Sequence, residues 1–193
     1  MIDAALIQHC ADPSLKSAIV EKFIERAGSQ DPLAVTVRSG NRVVLVPKPA
    51  TQDEAMDLIR QHVGRAVVRV GITQYPAGLG VVEAGELKTD LVDACANLRM
   101  GTALFAKVYR IVTKWYGTPV EEAFDDAIIA WQTGYFEGES VFRAADPGDV
   151  RVATPAAGSG ALEKADSEVS SDKSSAEDPN RAGIRVDLSQ IGR

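Results

Sequence analysis

The stretch RMGTALFAKVYRIVTKWYG, residues 99–117, carries four cations (Arg99, Lys107, Arg110 and Lys114) and no carboxylate. The next stretch, TPVEEAFDDAIIAWQTGYFEGE, carries six carboxylates and no cation. On a helix Lys107, Arg110 and Lys114 share one face at i, i+3 and i+7. Such a face can track the phosphates of a nucleic acid. It can equally pair with Glu121, Glu122, Asp125 and Asp126 of a following antiparallel helix. Each exposed pair is worth only ~0–1 kcal/mol, but together they cancel the local field. The short linking turn favours the charge-matched hairpin, with a DNA-binding face around residues 99–114 as the alternative.

Other residues offer less chemistry. GITQYPAGLGVVEAG follows a strand pattern, yet Gly71, Gly78, Gly80 and Gly85 fit neither common phosphate-loop spacing. They read as turn glycines, with Tyr75-Pro76 opening a turn that could meet a partner. His9 and His62 lie in separate helices without an i+4 ligand, so no metal site is expected. The paired acids at 121–122 and 125–126 sit in the first turns of a helix, where the helix dipole already explains them. An enzyme would need a convergent pocket, and Tyr75, Glu83, Glu86 and Glu139 are the residues to search around. No catalytic set, cofactor or small-molecule substrate is read from the sequence.

The elements that must position these residues are well punctuated. Asp12-Pro13 opens a helix that Gly28 stops, with Leu15, Ile19, Phe23 and Ala27 on one face and a shorter helix over Ile2–Cys10 before it. Residues 33–46 alternate around SGN as a β-hairpin, and Thr51 with Glu54 forms a capping-box pattern for a helix closed by Gly64. Residues 66–72 read as a third strand. From about Glu86, Leu87, Leu91, Ala94, Leu98, Gly101, Phe105, Val108, Val112 and Trp115 repeat at 4-3 spacing, a close-packed helical seam that Gly101 could break. Thr118, Pro119 and Glu121 suggest a capped last helix burying Phe124, Ile128 and Trp131. The expected fold is α+β, a small, mostly antiparallel three-stranded sheet packed by helices in the order α-α-β-β-α-β-α-α.

The 193 residues, 45% apolar and 25% charged, suit one globular domain, and the net charge of −6 excludes a protein coated in phosphate-binding cations. Composition shifts near Ala144 to Ala, Ser, Gly, Pro and acids. The globular domain is therefore placed at 1–143 and a disordered acidic tail at 144–193. Within the tail, GIRVDLSQIGR (183–193) brings back Ile184, Val186 and Leu188 in alternation, a pattern that could add a strand to a partner's sheet. Cys10 and Cys95 read as reduced, buried thiols. Neither a signal peptide nor a membrane-spanning run is seen, so a cytoplasmic protein without membrane insertion is expected.

Four long runs, MIDAALIQHCADPSLK, VRVGITQYPAGLGV, LRMGTALFAKVYRIVTKWYG and AWQTGYFEGESVF, resemble the TraH conjugal transfer protein family of Agrobacterium and Rhizobium plasmids. The likeness covers about residues 1–147. It implies a part in plasmid conjugation, with other conjugal transfer proteins as partners, and carries over no catalytic residue or cofactor. Together these readings lead us to expect a non-enzymatic accessory of conjugative DNA transfer acting through protein–protein contacts, with plasmid DNA as the alternative partner.

Overall fold

Alternating valines decide the sheet. A computed structural model describes residues 2–155 of the chain. In it β1 (Val35–Ser39) pairs antiparallel with β2 (Arg42–Val44) on one side and with β3 (Val67–Val70) on the other. Val37 lies opposite Val68 and Val35 opposite Val70. Because successive side chains point to opposite faces, these valines form one apolar face. Ala55, Met56 and Ile59 of α3 (Gln52–His62) cover it, with Leu87, Leu91 and Val92. The chain then turns at Gly71 and adds a short fourth strand, β4 (Tyr75–Pro76), so the sheet runs β2-β1-β3-β4, antiparallel throughout. The α+β class and the antiparallel sheet hold, with one strand more than the three expected.

A second core lies among the helices. It is built by α1 (Ala4–Cys10), α2 (Ser17–Ala27), α4 (Ala94–Tyr116) and α5 (Glu122–Thr133). Phe23 stacks on Phe105 with ring centroids 4.0 Å apart, and Trp131 meets both rings edge-on. Such aromatic pairs add about 0.5–1.5 kcal/mol each beyond the area they bury. Leu98, Gly101, Phe105, Val108 and Val112 are all buried, as the 4-3 spacing predicts. Trp115 is not: it continues the seam but is 59% exposed. Gly117 ends α4 in the left-handed conformation just beyond it, and the Trp115 ring makes T-shaped contacts with Tyr116 and Phe136.

Several boundaries move for local reasons. The long helix starts at Ala94, where the Asp93 carboxylate accepts the Ala96 N–H at 2.8 Å. The residues before it form two single 3₁₀ turns. Gly101 does not break α4. Helix α2 begins at Ser17, because the Asp12 carboxylate closes a local turn by accepting the Ser14 N–H and hydroxyl. At α5 the expected Thr118 box is absent, and the N-cap residue Glu121 makes no side-chain cap bond.

The thiol expectation fails. Cys10, ending α1, and Cys95, opening α4, are joined in a disulfide. The two positions are 85 residues apart, and only the packing of α1 against α4 brings them together.

After a small hairpin, β5 (Tyr135–Phe136) and β6 (Glu139–Ser140), the chain passes over α4 as a strap. The Tyr109 hydroxyl donates to the Ala153 carbonyl at 2.6 Å, and Val152 packs on the helical core. The compact unit is Met1–Ala157 and therefore runs past the boundary expected at 143. Ile184, Val186 and Leu188, with most of the tail, lie outside the described residues.

Candidate functional site: an arginine-lined groove

The basic face of α4 is not matched to α5. Lys107 Nζ donates to the carbonyls of Phe142 and Ala144 at 2.8 and 2.9 Å. Arg110 grips Asp146 with both Nε, at 2.9 Å, and NH2. That contact holds the Asp146 carboxyl down at about 2. The acids of α5 turn elsewhere: Asp125 pairs with Arg26 at 3.0 Å, and Asp126 accepts the Tyr116 hydroxyl at 2.7 Å. The local field around Lys107 and Arg110 is cancelled by the strap, a partner the helix-hairpin reading did not include. Lys114 stays exposed, beside Trp115 and Glu139 along a separate hollow.

The other candidates do not converge. Tyr75 is half-buried between the two cores, and burial raises its phenol above the usual range. Glu86 accepts the N–H groups of Val82 and Glu83 and caps its own 3₁₀ turn, which lowers its carboxyl. The hollow that Glu139 lines contains none of Tyr75, Glu83 and Glu86. Among the described residues, no three His, Cys, Asp or Glu side chains come together to hold a metal ion.

A cationic site forms instead on the sheet face turned away from α3. Strand alternation puts Thr36 and Arg38 of β1 on the same face as Val67 and Arg69 of β3. Arg69 opposes Thr36 and Arg38 opposes Val67, so the two arginines are diagonal neighbours, close enough for long side chains to interact. Like charges there repel. Arg38 adds to the main effect, burial, in pushing the Arg69 guanidinium down to about 10. Arg65, from the loop after α3, and Arg143, after β6, join the same hollow of about 580 Å³. A contiguous hollow of about 460 Å³ shares Arg38 and Arg69. Among the described residues no Asp or Glu lines either hollow, and none of the four arginines pairs with a carboxylate.

Arg69 is held in place by backbone. It donates through NH2 to the Trp131 and Gln132 carbonyls, at 2.6 and 3.1 Å, and through NH1 to the Gln74 carbonyl at 3.3 Å. The first two belong to the last turn of α5, whose dipole favours a cation. Its guanidinium also faces the rings of Phe142 and Trp131, 5.2 and 5.7 Å from their centroids. Among the described residues these three bonds leave two of its five N–H groups without an acceptor.

A buried amide fixes the turn that supplies Gln74. Asn97, fully buried in α4, donates to the Val70 and Leu91 carbonyls and accepts from the Thr73 N–H and hydroxyl. All four of its hydrogen-bonding positions are filled, so the network specifies one geometry. Gln74 itself sits at φ 52°, a conformation L-residues adopt sparingly. The sequence signal for this site was the charge inside the valine strand VVRVG, which strand alternation and the high cost of burying a charge both mark. The other arginines gave no signal before β1 and β3 were paired.

Comparison with known proteins adds the family. A model of the TraH_2 family matches residues 1–193. The chain belongs to the TraH_2 family. It is 54% identical to y4dP, an uncharacterized protein of Sinorhizobium fredii, over 100% of this chain and 99% of that one. No solved structure matches. TraH_2 membership, which bears out the resemblance, carries a role in conjugal transfer. Among the described residues no helix is long and apolar enough to cross a membrane.

Proposed function

We propose that this TraH_2 chain is a non-enzymatic accessory of conjugal transfer that works by binding, and that the arginine groove is where it binds. One observation carries this reading. Four arginines from three strands' surroundings and a loop converge on one groove, two of them repelling, and among the described residues no carboxylate lines it. A fold gains nothing from that arrangement alone, because unpaired like charges cost free energy. An anionic partner offsets it.

The α4 face is the weaker site, since Lys107 and Arg110 are engaged by the strap. Contacts with other transfer proteins remain part of the proposal, with the 183–193 segment as one route to them. The compartment enters through the Cys10–Cys95 bridge: disulfides persist in oxidising compartments and are rare in the cytoplasm. The bridge therefore supports a location outside the cytoplasm over the cytoplasmic one expected from sequence.

The test is conjugation frequency from donors carrying Arg65→Glu and Arg143→Glu together, compared with donors carrying Lys114→Glu. The groove variant should transfer at least tenfold less well at equal protein level, and the Lys114 variant normally. Equal transfer by both variants and the wild type would overturn the groove as the working surface.

A further inference from the structure

We propose that the groove's ligand is single-stranded nucleic acid, held by its phosphates on the arginines and by a base stacked on Tyr135. The inference deepens the binding role above and rests on it.

Three observations select this ligand. The first is depth. Arg69 lines both hollows although it is only 8% exposed, with Arg38 beside it. A duplex is a wide, stiff rod whose phosphates cannot reach a recessed guanidinium, whereas a single strand is slender and pliable. The second is the donor type. All four cations are arginines, whose planar fork matches phosphate oxygens in pairs. The third is Tyr135. It lines the groove, and it is 60% exposed although it is a large aromatic. A backbone-tracking cationic groove flanked by an exposed aromatic ring is the arrangement that binds single strands without reading sequence.

Tyr135 is also positioned rather than loose. Gly134 ends α5 in the left-handed conformation, at φ 83°, and turns the chain directly into β5. The Thr133 hydroxyl accepts the Tyr135 N–H at 3.3 Å while donating to the Ile129 carbonyl one turn back in α5 at 2.8 Å. The backbone that carries the ring is thus pinned to the end of the same helix that holds Arg69. Phosphate contacts and stacking surface share one rigid support.

An acidic peptide would satisfy the arginines but has no base to place on Tyr135, so the experiment compares the two. Full-length protein is titrated into labelled oligo-dT of roughly a dozen nucleotides, within the range one such groove covers. The matched duplex and a labelled polyglutamate peptide are titrated in parallel. Oligo-dT should bind more tightly than either, with a log–log salt slope of about −3 if four arginines meet phosphates. Arg65→Glu and Arg143→Glu, both at exposed positions, should each weaken binding at least tenfold. Tyr135→Ala should weaken it on the order of tenfold and leave the salt slope unchanged. An abasic oligomer should lose affinity for the wild type but not for Tyr135→Ala. Polyglutamate binding without oligo-dT binding would overturn the nucleic-acid ligand and leave the anion groove standing. Duplex binding equal to oligo-dT, or oligo-dT binding insensitive to all three substitutions, would overturn the proposal. Binding of none of the three probes, together with unaffected conjugation, would overturn the groove itself.

Discussion

Arg69 donates to the backbone carbonyl of Trp131 while its guanidinium lies over the indole ring of the same residue. One tryptophan thus serves the arginine twice, and the arginine closes the end of α5. Arg69→Met removes the buried charge but strands the Trp131 and Gln132 carbonyls, each orphaned acceptor costing about 1–3 kcal/mol. Urea unfolding should show a net loss of about 2–4 kcal/mol. Arg69→Lys should recover little of it, because an ammonium has no planar fork to spread against the rings and reach separated acceptors. Full recovery by lysine would mean that a point charge is enough.

Gly101 tests whether close approach outweighs helix propensity. Alanine there should gain about 1 kcal/mol in an open helix. A Cβ at this position, however, would overlap Oγ1 and Cβ of the buried Thr73, which has no room to retreat. Gly101→Ala should therefore destabilise, by about 1–3 kcal/mol. Since Thr73 anchors the Gln74 turn, the variant should also weaken any ligand of the groove. A neutral or raised melting temperature would refute the overlap.

The two tryptophans should report opposite environments. Trp131 is fully buried and Trp115 is 59% exposed. Trp115→Phe should leave emission characteristic of an apolar site, accessible to no ionic quencher. Trp131→Ala should leave red-shifted, quenchable emission and cost about 3–5 kcal/mol. Emission that stays red-shifted and quenchable in Trp115→Phe would contradict the placement of Trp131.

The disulfide should be measurable in stability and in mass. Closing a chain separation of 85 residues stabilises by about 2–5 kcal/mol, mostly through the unfolded state. Purified protein should resist thiol alkylation until reduced. The reduced protein and Cys95→Ser should both lose stability in that range. Rapid alkylation of both cysteines in unreduced protein, whether purified or trapped from donor cells, would refute the bridge and the location argued from it.

The strap should loosen in acid. Asp146 has a folded value of about 2 against an ordinary 3.8, first because of its bond to Arg110. A carboxyl lowered on folding stabilises fully above its unfolded value and loses that contribution as pH falls through the folded one. The window is therefore about pH 4 to 2. Hydrogen exchange across residues 144–153 should rise over that window, and Asp146→Asn should show the faster exchange already at neutral pH. The effect will be small, because the pair is partly exposed and screened. Protection unchanged down to pH 2 would show that other contacts hold the strap.

What the sequence revealed follows from how local each signal was. Thr51 caps α3 as its position predicts, with Oγ1 accepting the Glu54 N–H at 3.2 Å, while the Glu54 carboxylate reaches back to the Ala50 N–H rather than to that of Thr51. The valine alternation located β1 and β3 because period two survives in five or six residues. Trp115 misled, since its periodicity is intact and only the early end of its packing partners exposes it. Cys10 and Cys95 could not be paired without knowing that α1 packs on α4. The groove was least legible: Arg38, Arg65, Arg69 and Arg143 come from different elements, and no spacing links them until β1 meets β3 and α5 meets Arg69.

The order in which the chain is synthesised gives the strap a further meaning. Helix α4 is complete once Tyr116 has been made, yet the Tyr109 hydroxyl lacks its acceptor until Ala153 emerges from the ribosome. Until then the basic face of a finished helix is uncovered, and Lys107 and Arg110 have no carbonyls or carboxylate to receive them. The nascent protein is briefly a more cationic object than the mature one, and the final segment converts it. A released chain ending at residue 141 should therefore adhere to polyanions through α4, an adhesion that the strap abolishes.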